Sequence, residues 1–92
     1  MAQVRVDLLG VLSSLAGERR VSLEAATLQQ AIETLAADKG EEFKTRLFDK
    51  NGEPRKFINI YVNARDYRFL NKLETELQDG DVISIIPAVS GG

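Results

Sequence analysis

The sequence predicts an α+β domain in which one amphipathic helix packs across a mixed sheet of four or five strands. Three patterns carry that expectation. Apolar and polar residues alternate over 3–9, 57–63 and 82–86, the period of strands that bury one face. Leu28, Ile32, Leu35 and Ala36 form a single stripe at helical spacing behind a capping signal at Thr27. The last run, Val82-Ile83-Ser84-Ile85-Ile86, carries apolar residues on both faces, as a strand in the interior of a sheet requires.

In chain order, Val4, Val6 and Leu8 face inward, and Gln3, Arg5, Asp7 and Leu9 face outward. Gly10 breaks this strand. Val11 to Ala16 suits a short helical turn carrying Leu12 and Leu15, with Gly17 available for the left-handed position that closes it. Arg20 to Glu24 resumes the alternation, so the first two strands are expected to pair antiparallel. In Thr27-Leu28-Gln29-Gln30 a hydroxyl and a later amide can satisfy backbone donors at the start of the main helix. Gly40 after Lys39 ends that helix. Glu41 to Phe48 predicts a second, short helix with Phe43 and Leu47 on one side, and Asp49-Lys50-Asn51-Gly52 predicts a turn. Phe57 to Asn63 is a strand by strict alternation. Asn63 to Asp66 turns it back, Tyr67 to Phe69 is expected as a brief strand, and Leu70, Leu73 and Leu77 add core contacts. Gln78-Asp79-Gly80-Asp81 is a turn into the last strand. This order matches a β-grasp, or ubiquitin-like, layout with the last strand parallel to the first. Residues 1–87 are expected as the domain and 88–92 as a flexible tail.

Composition narrows the function. Ninety-two residues make one small domain. Twelve basic against 14 acidic residues leave a net charge of −2, which argues against nucleic acid as the main partner. No apolar stretch approaches the ~18 residues of a membrane span. Met1-Ala2-Gln3-Val4-Arg5 lacks a basic segment leading into an apolar one, so no secretion signal is expected and the cytoplasm is the expected location. The chain has no cysteine and no histidine. Thiolate nucleophiles, iron–sulfur ligation, imidazole acid–base catalysis and ordinary zinc sites are therefore excluded. A domain so composed is expected to be a substrate rather than an enzyme, and no cofactor is expected.

The ending stands out. Pro87-Ala88-Val89-Ser90-Gly91-Gly92 follows the last strand, and a Gly-Gly ending arises by chance roughly once in 200 chains at average glycine usage. Without Cβ atoms the pair can enter a narrow slot in another protein. By the same alternation Leu9, Phe57, Tyr61 and Ile86 share the outer face near that exit, and such an apolar cluster is a candidate docking surface. Other groups have plainer readings. Asp79 and Asp81 suit turn chemistry, Glu41-Glu42 a solvated helix end, and Arg19-Arg20 and Arg55-Lys56 are too small to specify a phosphate site. Ser13-Ser14 has no histidine to activate it.

A carboxylate resists nucleophiles until one oxygen becomes a good leaving group. Adenylation of Gly92 by ATP would provide that, with the phosphate chemistry supplied by a partner, since the chain has no phosphate-binding glycine loop. Sulfide or a persulfide could then attack to leave a thiocarboxylate, or a thiol could form a thioester that passes the protein to an amine. At this point Leu77 through Gly92, Leu77-Gln78-Asp79-Gly80-Asp81-Val82-Ile83-Ser84-Ile85-Ile86-Pro87-Ala88-Val89-Ser90-Gly91-Gly92, resembles the ending of the MoaD/ThiS family of sulfur-carrier proteins. Phe57-Ile58-Asn59-Ile60-Tyr61-Val62-Asn63 is most similar to the CysO-type branch, which delivers sulfur for cysteine biosynthesis. Pro87-Ala88, where short molybdopterin-synthase small subunits commonly carry Pro-Pro, and the segment from Glu41 to Phe57 favour the same branch.

The resemblance implies that Gly92 carries the thiocarboxylate, that Gly91 gives access to the activating enzyme, and that Leu9, Tyr61 and Ile86 lie on the docking face. Ser90 is expected to share the access role, and Phe57 of the outer face, with Pro87 and Val89 of the ending, is expected to join in partner binding. Those partners would be a ubiquitin-activating-type adenylating enzyme and a sulfur acceptor. The acceptor would be a PLP-dependent cysteine synthase or, in the rival branch, the large subunit of molybdopterin synthase. A ubiquitin-like protein modifier is the alternative of a different class, and an interaction module without tail chemistry is a third. β-Grasp ferredoxins are excluded by the missing cysteines.

Overall fold

Val4, Val6 and Leu8 bury one side of the first strand, β1 (Ala2–Leu8), while Gln3 and Arg5 stay exposed. The computed structural model describes residues 1–87, and the five residues predicted as a tail lie outside them. After β1 come α1 (Val11–Ala16), β2 (Arg20–Ala25), α2 (Leu28–Lys39), α3 (Glu41–Leu47), β3 (Ile58–Val62), β4 (Arg65–Asp66) and β5 (Val82–Pro87). The strands form one sheet in the order β2-β1-β5-β3-β4. β5 runs parallel to β1 and antiparallel to β3, so the last strand is interior. This is the β-grasp architecture.

One layer of core lies between the sheet and α2. Leu28, Ala31, Ile32, Leu35 and Ala36 are all buried, as are Val6, Ile60, Ile83 and Ile85 opposite them. The helix starts where predicted, with a variation on the expected cap. Thr27 Oγ1 accepts the Gln30 N–H at 3.3 Å, but Gln30 Oε1 accepts the N–H of Ala26 at 2.7 Å, one residue before the cap. The segment before β5 pins the same helix end: Leu28 N–H donates to Thr75 O and Leu77 N–H to Ala26 O, each at 2.9 Å. Gly17 takes the left-handed conformation at the end of α1 (φ 79°, ψ 7°). In α3, Phe43 and Leu47 are buried as expected, with acids in its first turn and bases in its last, the arrangement a helix dipole favours.

Some boundaries move for local reasons. Phe48 is extended and bridges to Pro54, so α3 ends at Leu47. The Ile58 N–H turns back to Arg55 O, so β3 begins at Ile58 rather than Phe57. The brief strand expected over Tyr67 to Phe69 is instead a 3-10 turn. Asp66 Oδ1 captures the Arg68 N–H at 2.9 Å and the Leu70 N–H returns to Tyr67 O, which closes the backbone on itself and removes it from the ladder. The edge strand is the two residues ahead, Arg65 and Asp66, joined to β3 through Asn63 and Ala64. Both have positive φ (51° and 71°), the requirement of the tight hairpin whose twist fits a sheet. Leu77 is buried, and Leu70 and Leu73 pack against the core as predicted. Among the described residues no helix is long and apolar enough to cross a membrane.

Candidate functional site

The site is the end of the sheet where β5 releases the chain toward Gly92. The registers Leu8↔Ile85 and Ile58↔Pro87 carry β5 beyond the last paired residue of β1. The Leu9 N–H still reaches Ile85 O at 3.3 Å, which sets Leu9 beside Ile86 and Gly10 beside Pro87. At Gly10 the backbone turns sharply (φ 60°, ψ −139°) and the Gly10 carbonyl starts α1, accepting from the Ser13 N–H and from Ser13 Oγ at 2.8 Å. A side chain there would crowd the proline: a Cβ on Gly10 would lie 3.2 Å from Pro87 Cγ. On the other flank is Phe57, 58% exposed, directly before the Ile58–Pro87 pair.

The sheet register settles the composition of the outer face. Arg20, Asp7, Ser84, Tyr61 and Asp66 follow one another across β2, β1, β5, β3 and β4. Asp7 is held by Arg5, whose Nη2 donates to Oδ2 at 3.3 Å, and its Oδ1 lies 3.0 Å from Arg5 Nε and 3.7 Å from Arg20 Nε. Asp66 is gripped by Arg68 at 2.7 Å, and Arg68 also reaches Asn59 Oδ1 at 3.3 Å. Ile86 pairs with Asn59 and lies diagonal to Tyr61, within side-chain reach on one face. Ile86 and Tyr61 are half-buried, whereas Leu9 is 44% exposed. The structure thus groups Leu9, Ile86 and Tyr61 in a strip bordered by ion pairs, and it sets Phe57 apart at the strand's end. Pro87 closes the described chain; Val89, Ser90, Gly91 and Gly92 lie outside it.

The plainer readings of other groups have specific partners. Asp79 Oδ1 accepts the Gln3 N–H at 2.8 Å, and Asp81 uses one oxygen for the Gln78 N–H and the other for Asn63 Nδ2. Both carboxylates are occupied in holding the turn around Gly80. Among the described residues no three His, Cys, Asp or Glu side chains gather into a metal-binding cluster. The displaced ionisations are structural too. The hydrogen bond from Arg68 holds the Asp66 carboxyl below its ordinary range, burial raises the Tyr67 phenol, and the contact with Glu18 raises the Lys39 ammonium. None of these groups flanks Pro87. The described site is the end of an interior strand bonded on both sides, with an adjoining surface. What sequence reasoning missed was Gly10 as the neighbour of Pro87, because nothing local to Gly10 reveals a residue so far along the chain.

A model of the ThiS family matches residues 6–92. The sulfur carrier protein CysO of Mycobacterium tuberculosis is 41% identical over 78 residues, 83% of either chain. The solution structure of the small archaeal modifier protein 1 of Methanosarcina acetivorans superposes with a TM-score of 0.88 at 36% identity, covering 100% of this chain and 98% of that one. The crystal structure of the BexX/CysO complex of Amycolatopsis orientalis gives 0.82 at 37% identity, covering 97% and 99%.

Proposed function

Because this chain belongs to the ThiS family, we propose that it is a sulfur carrier whose Gly92 α-carboxylate is adenylated and then converted to a thiocarboxylate. ATP would transfer AMP to a carboxylate oxygen with release of pyrophosphate. Sulfide or a partner's persulfide would attack the acyl carbon, the C–O bond to AMP would break, and sulfur would take that oxygen's place. A persulfide donor would need a further thiol to free the sulfur from the donor as the thiocarboxylate. All of this belongs to partners' active sites. The chain's part would be a stable hold on β5 and delivery of Gly92 into those sites through Ser90 and Gly91. The observation that carries the reading is the placement of β5: the last strand is interior, bonded on both sides, and leaves the sheet at an end framed by Gly10 and Phe57.

Within that reading the CysO-like role, sulfur delivery for cysteine biosynthesis with a PLP-dependent synthase as acceptor, is supported by the likeness to the mycobacterial carrier. Delivery to the large subunit of molybdopterin synthase is the rival inside the family. Protein modification is the second reading, favoured by the likeness to a small archaeal modifier protein. Incubation with ATP, the cognate adenylating enzyme and a sulfur source should replace one Gly92 oxygen by sulfur, seen by intact-protein mass spectrometry. An unchanged mass under conditions that form the acyl-adenylate would sink the carrier reading. Conjugates to lysines of other proteins would turn it toward a modifier.

A further inference from the structure

A groove of about 510 Å³ lies beside Pro87, on the helix side of the exit rather than on the sheet's outer face. The start of α1, the end of α3 and the approach to β3 converge there, and Val11, Arg46, Arg55, Lys56, Phe57 and Pro87 line it. Its apolar border is unusually exposed. Among the described residues five large hydrophobic side chains are exposed, and two of them, Val11 (40%) and Phe57 (58%), border this groove. Its charge is one-sided in a chain whose net charge is −2. The carboxylate that lines it, Asp49, has Oδ1 taken by the N–H groups of Asn51 and Glu53. Arg55 is committed too, its Nε donating to Thr45 O at 2.7 Å. Arg46 and Lys56 form no ion pair among the described residues. The Lys56 ammonium stands 5.9 Å from the Phe57 ring centre, so cation and aromatic present themselves together.

Exposed apolar side chains rimmed by charge mark protein contacts, and unpaired rim cations select a partner's carboxylates and speed the encounter. Five residues lead from Pro87 to Gly92, a reach of at most about 18 Å. A protein that holds Gly92 in its active site therefore has its surface close to this groove. Resting on the carrier reading above, we propose that the groove docks an acidic segment of the adenylating enzyme, a loop bearing Asp or Glu with one apolar residue seated between Val11 and Phe57.

The test is calorimetric titration of the full chain with its adenylating enzyme at low and high salt. R46E combined with K56E should weaken binding about tenfold or more and flatten its salt dependence. R46K with K56R, which keeps both charges, should retain the affinity. R65E, on the edge strand at the opposite end of β3, should change it by less than about twofold. Urea melts verify that each variant is folded. Wild-type affinity in the R46E/K56E protein, or an equal loss in R65E, overturns the groove as the docking site and leaves the carrier reading standing. If the wild-type chain binds no adenylating enzyme at all, the carrier reading falls and the groove proposal with it.

Discussion

Gly10 and Pro87 meet where the chain leaves the sheet: Gly10 holds φ 60° and ψ −139°, and a Cβ on it would stand 3.2 Å from Pro87 Cγ. The conformation is one that side chains rarely adopt, and the space is already occupied. Gly10→Ala should destabilise the domain by about 1–3 kcal/mol in urea melts. Adding Pro87→Ala should recover only the part due to the crowding, because the backbone strain remains; a double-mutant cycle separates the two. Full recovery would mean that the contact, not the torsion, selects glycine.

Ala64 offers the reverse case. It sits in the β3–β4 hairpin at φ 71° beside Asn63 at φ 51°, where Asn-Gly is the favoured pair. Relief of a left-handed alanine is worth about 1–2 kcal/mol, reduced by the greater freedom of glycine in the unfolded chain. Ala64→Gly should raise stability by about 0.5–1 kcal/mol without altering sulfur transfer, since the hairpin is at the opposite end of β3 from Pro87. A loss of stability would contradict the turn assignment.

Lys39 ties the C-terminal end of α2 to the segment before β2. Its side chain is 11% exposed, contacts Glu18 and lies 3.5 Å from Asp38. The hydrogen bond to Glu18, with the charges of both acids, holds the ammonium above the ordinary lysine value of 10.5. A raised folded-state value makes the contribution fully present below the unfolded value and lost as pH rises through the folded one. Stability relative to Lys39→Met should therefore be level from neutral pH to about pH 10 and should fall above it. A constant difference through alkaline pH would show that the side chain acts by packing alone.

Deletion of Gly92 should abolish sulfur loading while shifting unfolding free energy by less than about 0.5 kcal/mol. Every core residue and every strand pairing described lies at or before Pro87. A larger destabilisation would make residue 92 part of the scaffold, contrary to the proposed division between holder and tail.

Much of the fold was legible in local pattern. The α2 stripe and its Thr27 signal correspond to a helix beginning at Leu28, and five of its residues are buried. The reading of Asp79 and Asp81 as turn residues is matched by hydrogen bonds to Gln3, Gln78 and Asn63. Tyr67 to Phe69 misled because Tyr67 and Phe69 alternate with Arg68 as a strand would. Asp66, whose carboxylate takes the Arg68 N–H, decided otherwise. The outer face was legible as a set of residues but not as a neighbourhood. Alternation placed Tyr61 and Ile86 on one side, and the register then bordered them with Asp7, Asp66 and Arg68.

The sequence alone determined the alternation of each long strand, the buried stripe of α2, an interior last strand, and a chain without thiol or imidazole chemistry. Those properties are written in residue type and short-range period, which the backbone geometry of strands and helices converts directly into faces. The tertiary structure alone decided which residues stand together at the exit. The parallel register Leu8↔Ile85 brings Gly10 against Pro87, and the packing of α1, α3 and β3 gathers Val11, Arg46, Lys56 and Phe57 around a single groove. A strand's period states which way a side chain points. Its neighbour depends on the offset at which distant segments pair, and that offset is chosen only when the shared core closes.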